Sequence, residues 1–95
     1  MRILLILSLT VALPAAAAAA PELKCNFEGR KTTVLIVNPD AQDKQCNYAC
    51  HYRLEGGSAS VTGSTSVKAG ETKIVDEDTR RGTVSAVRES SLKCE

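Results

Sequence analysis

Residues 58–67 alternate without interruption. Ala59, Val61, Gly63, Thr65 and Val67 fall on one face, and Ser58, Ser60, Thr62, Ser64 and Ser66 on the other. A period of two is the mark of a strand with one face in the core and one in water. Thr32–Val37 is built differently. It is β-branched and apolar on both faces, which predicts a strand covered at least in part on both sides. Asn38-Pro39-Asp40 ends it, because proline has no amide to give to a ladder, and residues 40–45 form a polar loop. Lys24–Glu28 reads as a short first strand closed by a turn at Glu28-Gly29-Arg30, and Gly56-Gly57 marks another turn. Beyond Val67 the pattern gives a turn at Lys68-Ala69-Gly70-Glu71, a short strand at Thr72–Val75, a charged loop over 76–82 and a last strand at Thr83–Arg88. Short strands at roughly ten-residue spacing predict an all-β domain, a small antiparallel β-sandwich or barrel-like fold of five or six strands. Gly63, inside an otherwise regular strand, is a candidate bulge.

Residues 46–54 admit two readings. As a strand, they place Cys46, Tyr48, Cys50, Tyr52 and Leu54 on one side and Asn47, Ala49, His51 and Arg53 on the other. The apolar set is then consistent. The rival is a helix at about 41–54, capped by Asp40 and stopped at Gly56, which would make the fold α+β. We favour the strand. In it His51 points away from both cysteines. Cys46 and Cys50 would be about 13 Å apart along the chain, too far for a disulfide, which needs Cα atoms within about 7 Å. Their partners are then Cys25 and Cys94. A tight hairpin at Gly29 carries Cys25 back toward the far end of the Val34–Val37 strand. That favours Cys25–Cys46 with Cys50–Cys94 over Cys25–Cys50 with Cys46–Cys94.

The N-terminus changes the picture of where the chain works. Met1-Arg2, the apolar run Ile3–Leu13, Pro14 and the alanines 15–20 have the layout of a secretory signal peptide. Residues 1–20 are therefore expected to be removed, with cleavage near 18–20, leaving 21–95 as a single small disulfide-stapled β domain. The apolar run is shorter than the roughly 20 residues a spanning helix needs. No membrane insertion is expected after cleavage. The chain is expected to be exported to the periplasm or exterior of a bacterium, where four cysteines in a short sequence read as two disulfides.

Charge and aromatic content exclude more than they suggest. Residues 21–95 carry 11 acidic side chains and, without Arg2, as many basic ones. That leaves no basic field for nucleic acid. Two tyrosines and one phenylalanine make a poor stacking platform for bases. The Cys46-x3-Cys50-His51 stretch lacks the C-x-x-C spacing of thiol redox centres, and Met1, the sole methionine, lies in the signal. Asp76-Glu77-Asp78 lacks the alternate spacing and internal glycine of a calcium loop; with Arg80-Arg81 it reads as a self-neutralising loop. A single histidine and no nucleophile with an evident base give no catalytic residue to assign. No cofactor or metal is expected.

The order Val37-Asn38-Pro39, C-x3-C-x-Tyr, Gly56-Gly57, Val67-Lys68-Ala69-Gly70 and a terminal cysteine resembles short exported bacterial disulfide-bonded β-domain proteins of unassigned function. The resemblance implies a β-sandwich-like fold and no activity. Leu23-Lys24-Cys25 to Gly29 is also similar to the opening of periplasmic lysozyme inhibitors of the small β-barrel type. Their serine- and glycine-rich loop with its tyrosine has no counterpart in this chain, so no residue role carries over. The expected function is a non-catalytic module acting by protein–protein contact or in envelope structure. The surfaces expected to do so are the Ser58–Ser66 strand edge or the 76–82 loop. An inhibitor of a hydrolase such as lysozyme or a protease is the alternative, and a periplasmic metal or thiol-redox protein using Cys46 and Cys50 is the second.

Overall fold

A computed structural model describes residues 19–95. The expected signal peptide lies outside the described residues except for Ala19 and Ala20. The fold is all-β: β1 (Glu22–Glu28), β2 (Lys31–Val37), β3 (Lys44–Leu54), β4 (Gly57–Val67), β5 (Thr72–Thr79) and β6 (Val84–Cys94). They form two three-stranded antiparallel sheets, ordered β1-β2-β5 and β4-β3-β6. Residues 44–54 are a strand, which removes the helical alternative for 41–54. The expected loop at 76–82 is corrected too. Asp76–Thr79 belong to β5, and β6 runs on to Cys94 instead of stopping at Arg88.

Two tight hairpins build the framework. β1 and β2 turn at Gly29-Arg30, where Gly29 takes φ 61°, a conformation that side chains resist. β3 and β4 turn at Glu55-Gly56. β5 and β6 complete the sheets beside β2 and β3, and the sheets meet with β1 next to β6 and β5 next to β4. On β2 the inward residues Thr32, Val34 and Ile36 are fully buried, and Thr33, Leu35 and Val37 are half-buried behind them, as a strand apolar on both faces requires.

The core has two parts. Val34, Cys50, Tyr52, Val61 and Val84 pack together toward the Gly29 end. Ile36, Cys46 and Val67 pack together toward the other. Each part holds one disulfide. Cys25–Cys50 links β1 to β3 and so ties the two sheets together. Cys46–Cys94 links neighbouring strands of one sheet. This pairing corrects the favoured Cys25–Cys46 with Cys50–Cys94. The hairpin forms, but its register puts Cys25 opposite Val34, not at the far end of β2. Cys25 therefore sits over Cys50, in the same core cluster as Val34. Cys46 stands directly opposite Cys94. Next to that pair Gln45 and Glu95 exchange both backbone hydrogen bonds. By the alternation of an antiparallel ladder, Cys46 and Cys94 are then a non-hydrogen-bonded pair, the closer kind. Their Cα atoms are 4.0 Å apart. Two disulfides in so small a domain are consistent with an extracellular or otherwise oxidising environment.

Candidate functional site

The strand geometry of CNYACHY separates its chemistry. Cys46, Cys50 and Tyr52 point inward and are fully buried. His51 points to the opposite face, where its Nδ1 lies 2.7 Å from Ser60 Oγ. The Tyr52 ring meets Phe27 edge-on at 6.5 Å, and its hydroxyl donates to the Asn26 carbonyl. Burial raises the Tyr52 pKa above its ordinary value; nearby Arg80 acts against this and Asp76 with it. The phenol therefore stays protonated at neutral pH and remains a donor. Among the described residues no group of three His, Cys, Asp or Glu is placed to hold a metal ion.

The charged stretch after Val75 is a lock rather than a loop. A bulge in β5 opposite Val34 and Leu35 turns Asp76 and Asp78 to the side of the inward residues Val34 and Thr32. Arg80 stands between them, 3.6 Å from a carboxylate oxygen of each, and donates from Nε to Thr32 Oγ1 at 3.0 Å. Glu77 points the other way and pairs with Lys31 at 3.3 Å. The connection to β6 is pinned to the first hairpin: Arg80 N donates to the Arg30 carbonyl and Val84 N to the Gly29 carbonyl. The self-neutralisation of this stretch is present, but it is set by strand register, which puts the half-buried Asp76 and the exposed Asp78 on the side of Arg80.

The opposite end is locked by a neutral residue that sequence reading treats as a mere strand stop. Asn38 is fully buried. Its amide donates to the carbonyls of Gln42, Val67 and Lys68 at 2.9, 3.1 and 3.2 Å, and its Oδ1 accepts from Asp40 N. Asp40 in turn pairs with Lys44 at 3.3 Å. Partial desolvation alone would raise the Asp40 pKa; the Lys44 ammonium and the Ala41 and Gln42 amides outweigh it and lower the pKa below its ordinary value. An Asn two residues before an Asp in a loop is the one available signal, the Asx-turn.

The outer face of the second sheet is polar throughout β4. Ser58, Ser60, Thr62, Ser64 and Ser66 are all exposed, and their register partners on β3 are Arg53, His51, Ala49, Asn47 and Gln45. Cross-strand hydrogen bonds join Ser60 to His51, Ser64 to Asn47 and Ser66 to Gln45. Glu89 lies across His51 on β6, so Ser60, His51 and Glu89 share one row. These are the residue types of a hydrolytic triad. No hydrogen bond joins Glu89 to His51 among the described residues. The row lies across an open sheet face, and the β3 amides around it are engaged in ladders on both sides.

β4 is also an edge strand, whose one ladder partner among the described residues is β3. Which of its peptide groups face outward follows from two observations. Gln45 spends its backbone groups on Glu95 of the opposite neighbour, so its β4 partner Ser66 turns its own away from β3. Lys73 Nζ of β5 accordingly finds the Ser66 carbonyl at 2.9 Å. The β3–β4 register runs unbroken from Gly57 to Val67. By alternation Ser58, Ser60, Thr62 and Ser64 also direct N–H and C=O to the free edge. Gly63 is therefore not a bulge. It faces inward beneath the Tyr48 ring, where a Cβ would come within 2.6 Å of the hydroxyl oxygen.

The other three edges differ. β1 carries Glu22, Lys24 and Glu28. β5 carries Lys73, Asp76, Glu77 and Asp78 and a bulge. β6 carries Arg88, Glu89 and Lys93 and shifts register twice against β3. Charge and bulges are the devices that keep sheet edges from pairing. β4 has no charge, no proline and no bulge. A shallow depression of about 290 Å³ beside the first hairpin, lined by Asn26, Phe27, Glu28, Lys31 and Thr33, has mostly exposed walls and no convergent polar set. Comparison with known proteins finds no matching family model, characterised protein or solved structure.

Proposed function

We propose that this domain is a non-catalytic module of an exported, oxidising compartment, the bacterial periplasm or exterior, and that it acts by protein–protein contact along β4. The observation that carries this reading is the uncharged edge of β4, a strand eleven residues long, which Lys73 engages only at Thr65 and Ser66. Its outward amides and carbonyls supply affinity to an added strand, and its alternate side chains supply selectivity. Residues 1–20 and the two disulfides support export. The test is a photoreactive side chain placed at Ser60 of β4 or at Ser91 of β6 in the exported protein, with adducts mapped to the residues they join. An adduct is expected from position 60 and not from 91. It should vanish on Thr62→Pro, which removes one outward amide and no ladder bond. Equal adducts from both positions, or indifference to Thr62→Pro, would reject the reading.

A further inference from the structure

The β4 edge is self-complementary. Its outward face reads Ser58, Ser60, Thr62, Ser64, Ser66, and in reverse gives the same residue types in the same order. We propose that the partner is a second copy of this chain, joined antiparallel along β4 about a two-fold axis through Thr62. This rests on the reading of β4 as a pairing edge and names its occupant.

An isologous contact requires the same patch to fit itself after a half-turn. In this register Thr62 meets Thr62 of the second copy, Ser60 meets Ser64, and Ser58 meets Ser66. All are residues whose N–H and C=O point to the free edge, so each pair is of the hydrogen-bonded kind. Serine and threonine directly opposite one another suit cross-strand hydrogen bonding. The inward pairs match by size. Val61 meets Gly63, which has no side chain, and Ala59 meets Thr65. β4 itself brings no charged side chain to the seam. Lys73 sets its limits, because it occupies Thr65 Oγ1 and the Ser66 carbonyl at the end nearest β5. The central pairs from Ser60 to Ser64 remain open. The product is a continuous six-stranded sheet ordered β6-β3-β4-β4-β3-β6, whose two ends are the charged, bulged β6 strands. The assembly therefore closes at two copies instead of growing.

The test uses the exported, oxidised protein in sedimentation equilibrium and amide exchange. The wild-type mass should approach twice that of one chain as concentration rises, with exchange slowing at Ser60, Thr62 and Ser64 and not along β6. S60K/S64K places lysine against lysine at both off-axis pairs and should weaken association by at least about tenfold. S60K/S64D places opposite charges across the same pairs and should restore it. Circular dichroism and the absence of free thiols check that both variants fold. A wild type that stays monomeric throughout, or an S60K/S64K variant that dimerises as the wild type does, overturns the proposal. A monomer whose Ser60 position still crosslinks to a different protein overturns the self-pairing and leaves the edge reading standing. A dimer with no adduct at Ser60 overturns both.

Discussion

Around Ile36, Cys46 and Val67 the polar group at the margin of the core is the neutral amide of Asn38, whose hydrogen bonds are all met by backbone. Around Val34, Cys50, Tyr52 and Val84 it is the Arg80 cluster. There the guanidinium sits 3.6 Å from two carboxylates, and Asp76 Oδ2 is buried without a hydrogen bond of its own. The disulfides differ in the same way. One half is stapled within a sheet and the other between sheets. The same task, closing one end of a thin two-layer core, is done at one end by directional neutral bonds and at the other by charge and a cross-layer bond. A neutral amide with fixed partners is indifferent to salt. A charge cluster is not.

The strongest test of this comparison removes the staples one pair at a time. Closing sequence separations of 25 and 48 residues should stabilise the fold by about 3.5 and about 4 kcal/mol, so C46A/C94A should cost slightly more than C25A/C50A in urea unfolding. The reverse order would mean that cross-layer packing at Cys25–Cys50 outweighs loop closure. Asn38→Ala comes next. It leaves three carbonyls without their donor and should cost about 2–3 kcal/mol. Asn38→Asp should be at least as harmful, because it sets a carboxylate against those carbonyls. Arg80→Ala should cost about 1–2 kcal/mol, and the difference from wild type should shrink as salt is added. The Asn38 penalty should hold constant over the same range. A salt-independent Arg80 penalty would erase the distinction between the two ends.

The smallest effect lies at Asp40, the one charged partner of the neutral lock. Its pKa is lower folded than unfolded. Its stabilisation is therefore complete above the unfolded value of about 3.9 and is lost as pH falls through the folded value. Asp40→Asn should be slightly less stable than wild type at neutral pH, and the gap should close below about pH 4. A gap that stays constant down to pH 2 would show that the Lys44 pair contributes nothing.

Much of this architecture is legible in the chain. The alternation of Ser58–Val67, the doubly covered Thr32–Val37 and the turn at Gly29 lie in the structure where the pattern puts them. The failures have one cause. Asp76 and Asp78 look like loop residues because charge beside a core is normally costly. Here both are matched by Arg80, a partner set by tertiary register. The disulfide pairing fails for the same reason: it depends on which residue of β2 stands opposite Cys25. For the candidate edge, the uncharged Ser/Thr face was visible. That this strand is an edge was expected from the uncharged face alone; that its even-numbered peptides point outward was not legible, because it depends on strand order and register, which no local pattern encodes.

The pairing has a consequence for what a protease can do. The ring closed by Cys25 and Cys50 and the ring closed by Cys46 and Cys94 share residues 46–50. A single cut anywhere between Cys25 and Cys94 therefore always has a sulfur bridge across it. In the alternative pairing the rings would lie end to end, and one cut between Cys46 and Cys50 would divide the molecule. With interlocked rings the chain can be nicked once in any exposed turn and still leave as one covalent piece. That property suits a small domain in an oxidising environment, where the bridges persist.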